Sequence, residues 1–120
     1  MDLIIEILVE MTGDICILRP QGDLDSSNSS SLKKQMLEQL QKGRYRIIMD
    51  LEKVPLIDST ALEVLVAGMK VCMQNNGSII LVNPCEEVKN LLEIIHFDRV
   101  FSILPDRDEA LKVFRKNDCN

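Results

Sequence analysis

Apolar and polar positions along the chain follow two different periods. Residues 3–11 alternate: Glu6 and Glu10 mark one face and Ile5, Ile7 and Val9 the other, the signature of a strand. Thr12-Gly13-Asp14 reads as a turn and residues 15–19 as a second strand, so the chain is expected to open with a hairpin. The period then lengthens. Leu32, Met36, Leu37 and Leu40 recur at helical spacing, with Gly43 as the stop. Residues 47–51, Ile-Ile-Met-Asp-Leu, form the short apolar run of a strand buried on both faces. Leu62, Leu65, Val66, Met69, Cys72 and Met73 predict a second helix that ends near Asn75-Asn76-Gly77. Residues 78–82 are again apolar and strand-like. Asn83-Pro84-Cys85-Glu86 predicts a third helix with Asn83 as cap and Pro84 in its first turn, directing Val88, Leu91, Leu92 and Ile95 inward. His96-Phe97-Asp98 is a connector and residues 100–104 a last short strand. A fourth helix starts at Pro105-Asp106 and buries Ala110, Val113 and Phe114, before a frayed tail over residues 116–120.

The order β-β-α-β-α-β-α-β-α predicts an α/β fold: a mixed, mostly parallel central sheet with helices packed against it and right-handed crossovers. The 120 residues are enough for one domain with a real core, and 46% of them are apolar, which excludes a disordered chain. With no tryptophan and 3% aromatic residues, that core must be aliphatic. A net charge of -5 argues against nucleic acid and against anionic membrane surfaces as partners. No apolar run reaches the length of a membrane span, and the first residues lack the basic region of a signal peptide, so a cytoplasmic location without membrane insertion is expected. The four cysteines show no paired spacing. Cys16, Cys72 and Cys85 lie in apolar patterns and are expected to be reduced core thiols, Cys119 a free thiol in the polar tail; no metal site and no cofactor are expected.

Candidate chemistry concentrates where the central strand gives way to the second helix. Asp58, Ser59 and Thr60 all carry oxygens able to accept from the free N–H groups of a helix start. A small hydroxyl, Ser59, is therefore expected at a helix N-terminus on the carboxyl side of the central strand, where an anion such as a phosphate is tolerated. In open sheets functional loops gather at that end. This places Gly22-Asp23-Leu24-Asp25 and the serine run 26–31 beside the loop 55–60. The outward side of the second helix should carry an apolar strip of Thr60, Val64, Ala67 and Val71, edged by Glu63, Lys70 and Gln74. Another helix of the same domain covers the strip, or it is a docking face for a partner.

Taken together, these segments resemble a known family. Gly22-Asp23-Leu24-Asp25 is similar to its Gly-x-Leu-Asp loop. Residues 47–51 and Ile57-Asp58-Ser59-Thr60-Ala61-Leu62 are similar to its strand and its Asp-Ser-Ser/Thr-Gly-Leu motif, and residues 77–83 and 98–101 match further segments. The family is the STAS domain, found in bacterial anti-sigma-factor antagonists (anti-anti-sigma factors) and in the cytoplasmic parts of sulphate transporters, and the likeness covers essentially the whole chain. It implies a transcription-regulating, non-enzymatic binding protein. Its unphosphorylated form binds an anti-sigma factor that is also a serine kinase, and so frees a sigma factor. Phosphorylation, carried over to Ser59 with Thr60 as the neighbouring hydroxyl, switches it off, and a serine phosphatase resets it. Asp23, Asp25 and Asp58 carry over to the partner-binding surface.

Three positions depart from the pattern: Ala61 and Glu63 stand at frequent glycines, and His96 at another. Glu63 lies at i+4 from Ser59, where a carboxylate disfavours a phosphate. Ala61 and Glu63 favour the second reading, a STAS scaffold or assembly module that is not phosphorylated and serves, for example, a transporter. An aspartyl-phosphate receiver centred on Asp50 would need an acidic pair after the first strand to hold magnesium, and that strand leads instead to Thr12-Gly13. Asp50 is expected to hydrogen-bond a loop.

Overall fold

The computed structural model describes residues 5–118. Within them the elements run β1 (Ile7–Thr12), β2 (Ile15–Pro20), α1 (Ser29–Gln41), β3 (Arg46–Asp50), α2 (Ser59–Gln74), β4 (Ser78–Val82), α3 (Glu86–Ile94), a 3-10 turn at Phe97–Arg99, β5 (Ser102–Leu104) and α4 (Arg107–Asp118). The expected order is observed in full. The first two residues of the predicted opening strand, and Cys119, lie outside the described residues.

The sheet has five strands in the order β1-β2-β3-β4-β5. β1 pairs with β2 antiparallel, Val9 opposite Leu18, and the remaining pairs are parallel, with Ile47 opposite Ile79 and Leu81 opposite Ile103. An order that never reverses, joined by crossovers of one hand, delivers every connecting helix to the same face. Accordingly Leu32, Met36 and Leu40 of α1, Leu62, Leu65 and Met69 of α2, and Val88 and Leu92 of α3 share one core with Cys16, Leu18, Ile47, Met49, Ile79 and Leu81. α4 has no later strand to reach and covers the opposite face. There Ala110 and Phe114 pack on Ile15, Ile17, Ile48, Ile80 and Val82. β3 is therefore buried on both sides, as its apolar centre Ile47-Ile48-Met49 requires.

Several side chains depart from the helical template. Leu37 is 46% exposed and Met73 61% exposed, and Ile95 and Val113 also face solvent. Each sits at the edge of its apolar stripe, beyond the reach of the sheet. Gln39 is buried in place of Leu37: its Oε1 accepts from Arg44 Nη1 at 2.6 Å and lies 3.5 Å from Cys16 Sγ. β1 is an edge strand, and Val9, predicted on the inner face, is exposed along with Leu8 and Met11. Val100 lies before β5, not in it, and is exposed. α3 is capped by Cys85 and not by Asn83. Asn83 instead adopts φ +56° and turns its amide toward the sheet. Cys16 and Cys72 are buried free thiols, and burial pushes the Cys72 thiol up to about 11, so it stays protonated; Cys85 is only half-buried. His96 takes φ +63°, a left-handed conformation that explains why glycine suits this position.

Two glycines set close approaches. A Cβ on Gly68 would stand 3.1 Å from Met36 Sδ, which is how α1 and α2 come together. At Gly77 a Cβ would stand 1.9 Å from the Tyr45 carbonyl oxygen, the group that accepts from Ser78 N–H at 2.9 Å to start β4 beside β3. Because backbone cannot yield as a side-chain tip does, Gly77→Ala is expected to destabilise the fold by about 3 kcal/mol. Urea denaturation with an unchanged m-value would report it.

Candidate functional site

The site is built where α2 begins. Asp58, with φ −116° and ψ 179°, is the N-cap, and its Oδ1 accepts from Thr60 N–H at 3.0 Å and Ala61 N–H at 3.3 Å. The Asp58 carbonyl oxygen accepts from Leu62 N–H at 3.1 Å. This is the local geometry that an Asp before an apolar-periodic run produces. Ala61 and Leu62 turn into the core, whereas Ser59 is exposed. Ser59 is thus an accessible hydroxyl on the first residue of a helix whose next turn is anchored, and Thr60 beside it is half-buried.

The loop before α1 is bound to this point by backbone. Leu24 and Ile57 form an isolated parallel bridge, in which Leu24 N–H donates to the Leu56 carbonyl at 2.8 Å and Asp58 N–H to the Leu24 carbonyl at 2.9 Å. Leu24, Val54 and Ile57 are buried beneath it. The expected neighbourhood of loops 22–31 and 55–60 is therefore a hydrogen-bonded contact. Asp23 is exposed; Asp25 is half-buried and accepts from Ser27 N–H at 2.9 Å. Ser26 N–H donates to Asp58 Oδ2 at 3.0 Å, an inter-loop contact that no local pattern foretold.

The apolar strip is neither fully covered nor fully free. Thr60, Val64 and Val71 are half-buried and Ala67 is exposed. α1 flanks the strip and leaves a groove of about 480 Å³ lined in part by Met36, Leu37, Leu40, Val64 and Gly68. A second groove on the other side of α2 includes Ser59, Val66, Lys70, Gln74 and Phe97. Glu63, Ala67 and Val71 border both, so they form the crest of α2. Ser59 stands at the head of the same i, i+4 row.

A second polar cluster lies at the end of β3. Asp50 is 2% exposed, and its Oδ1 accepts from Glu52 N–H and Asn83 Nδ2, both at 3.1 Å, in line with the expected loop contact. Its Oδ2 accepts from Arg107 Nε at 2.9 Å and lies 3.6 Å from Arg19 Nε, while Arg107 Nη1 reaches Glu10 at 2.9 Å. Burial alone would raise the Asp50 carboxyl. The hydrogen bonds from Arg107, the Glu52 amide and Asn83 outweigh it and hold it below its ordinary 3.8. The cluster fastens α4 to β1 and β3. Among the described residues no group of three His, Cys, Asp or Glu side chains is placed to hold a metal ion, and no helix is long and apolar enough to cross a membrane.

A carboxyl held below its ordinary value contributes stability above that value and loses it as the pH falls through the folded one. Arg107→Met is therefore expected to cost about 2 kcal/mol at neutral pH, and the gap to the parent chain should close as Asp50 protonates below 3.8. Urea midpoints between pH 7 and pH 3 would report it.

A sequence model of the STAS domain matches residues 6–110. A protein of Thermotoga maritima named "Putative anti-sigma factor antagonist" is 32% identical over 108 residues, 89% of this chain and 96% of that one. The "Anti-sigma F factor antagonist" of Paenibacillus polymyxa is 27% identical over 108 residues, 89% of this chain and 90% of that one. The crystal structure of a Thermotoga maritima protein with the same description as the first superposes with a TM-score of 0.87 at 31% identity, covering 91% of this chain and 94% of the other. By matched extent, identity and shared fold, this chain belongs to the STAS domain family, in its anti-sigma factor antagonist branch.

Proposed function

We propose that the chain is a non-enzymatic anti-sigma factor antagonist switched by phosphorylation of Ser59. The unmodified form binds an anti-sigma factor that is also a serine kinase and so frees a sigma factor. Phosphate on Ser59 ends the binding, and a serine phosphatase restores it. The observation that carries the reading is the exposure of Ser59 at the head of α2, next to loop 22–31 and in line with the crest of Glu63, Ala67 and Val71. Asp23, Asp25, Asp58, Ser59, Thr60 and Glu63 would form the polar end of the partner surface, and Val64, Ala67 and Val71 its apolar end.

The switch needs no refolding. Phosphate adds about -1.5 to -2 charges at neutral pH. At a packed interface that charge must be desolvated or left unpaired, which costs several kcal/mol. One feature favours the second reading, an unphosphorylated assembly module. The Thr60 and Ala61 amides are already held by Asp58, and Glu63 stands one turn below Ser59, so a phosphate there meets two carboxylates instead of free donors.

Incubation with a purified anti-sigma factor kinase and ATP, followed by mass spectrometry, is expected to place one phosphate on Ser59 and none on Ser59→Ala. An unmodified Ser59 would leave the assembly-module reading. By calorimetry, Ser59→Asp should weaken binding of the same partner at least about tenfold, ~1.4 kcal/mol. Val64→Asp and Val71→Asp should each do likewise while retaining the far-UV circular dichroism of the parent. Unchanged affinity in both would remove the apolar strip from the interface.

A further inference from the structure

We propose that Asp58 is a positioning residue that holds the turn of loop 22–31 beside Ser59, so that the kinase meets turn and hydroxyl as a single surface. The proposal rests on the phosphorylation reading above and concerns how that site is presented. The two oxygens of Asp58 have separate tasks. Oδ1 caps α2 through the Thr60 and Ala61 amides. Oδ2 accepts from Ser26 N–H at 3.0 Å, across 32 residues of chain. Capping needs only one oxygen, and Ser, Thr or Asn would supply it. The second oxygen is what distinguishes aspartate here.

Ser26 is the second residue of a turn closed by Asn28 N–H donating to the Asp25 carbonyl at 3.2 Å. The N–H of that position is not used inside such a turn, so it is available to an outside acceptor. Other bonds shape the turn from within: Ser27 N–H to Asp25 Oδ1 at 2.9 Å, Asp25 N–H to Asn28 Oδ1 at 3.0 Å, and Asn28 Nδ2 to the Asp23 carbonyl. They tie the turn to itself and not to α2. The backbone bridge at Leu24 pins the stem of the loop. The bond from Ser26 to Asp58 pins its far side, and being charge-assisted it is stronger than a neutral one. Asp23 and Asp25 are thereby kept at a set distance from the hydroxyl of Ser59.

Three variants separate this role from capping and from direct contact. Asp58→Asn keeps a capping oxygen and replaces the other with an amide that cannot accept from Ser26. Ser26→Pro removes the donor and leaves Asp58 intact, at a turn position where proline is favoured. Ser26→Ala removes the hydroxyl and keeps the donor. Steady-state phosphoryl transfer from ATP by a purified anti-sigma factor kinase is read for each, with amide exchange of Ser26 and Ser27 alongside. For Asp58→Asn and Ser26→Pro, KM for the chain should rise about tenfold with kcat within about twofold, since Ser59 stays in place on α2. Exchange at Ser27 should quicken in both, and at Ser26 in Asp58→Asn. Ser26→Ala should match the parent. An unchanged KM in either variant, a fall in kcat alone, or an equal rise in Ser26→Ala would overturn the positioning role. Absence of transfer to the parent chain would overturn the phosphorylation reading itself, and this proposal with it.

Discussion

β3 has no solvent side, and much of the molecule follows from that. Its residues Ile47 and Met49 enter one core and Ile48 the other, so helices must cover both faces of the sheet. Its last residue, Asp50, is drawn almost wholly out of water, and a carboxylate in that position must be met by donors. Arg107, Asn83 and the Glu52 amide meet it, and Arg107 is the first residue of α4. The charge at the end of the central strand is thus bound to the helix that seals the second core. Satisfying one buried group fastens one layer.

The same strand determines where the candidate site lies. Strand order advances without reversal, and α1, α2 and α3 pack on one face of the sheet. What the carboxyl ends of the strands offer is a surface: loop 22–31 bridged to loop 55–60, the start of α2, and the crest that descends from it. A surface of that kind suits recognition of another protein. Its apolar end lies on α2 and its polar end on loops joined by backbone hydrogen bonds, which lowers the ordering entropy of binding.

The Asp50 cluster and the site at Asp58 make opposite use of a carboxylate. Asp50 is buried and paired with cations, and its role is to hold the fold. Asp58 accepts from backbone amides, at the rim of the domain, where the arrangement joins two loops and leaves the neighbouring hydroxyl in solvent. Short chain spacing, from residue 50 to residue 58, separates an architectural carboxylate from one placed at the candidate recognition surface.

The order of strands and helices, the mixed sheet, the aliphatic core and the cap at Asp58 were all legible in the chain itself, because each rests on spacing or on the chemistry of adjacent residues. So were the family likeness and the proximity of the two loops, which follow from motif order and from the rule for parallel sheets. The edges of the apolar stripes were not. Leu37, Met73, Ile95 and Val113 fit the helical period as well as their buried neighbours, and only the reach of the facing sheet decides which of them lose water. Asn83 preceding Pro84 has the appearance of a helix cap, yet it is claimed by Asp50, 33 residues away, and Cys85 takes its place. The contacts of Arg107 with Asp50 and Glu10, and of Ser26 with Asp58, join residues from 32 to 97 positions apart. Periodicity and capping are local properties that a linear chain carries on its face. Partners brought together by closing long loops are selected by the packed structure as a whole, and no short-range pattern encodes them.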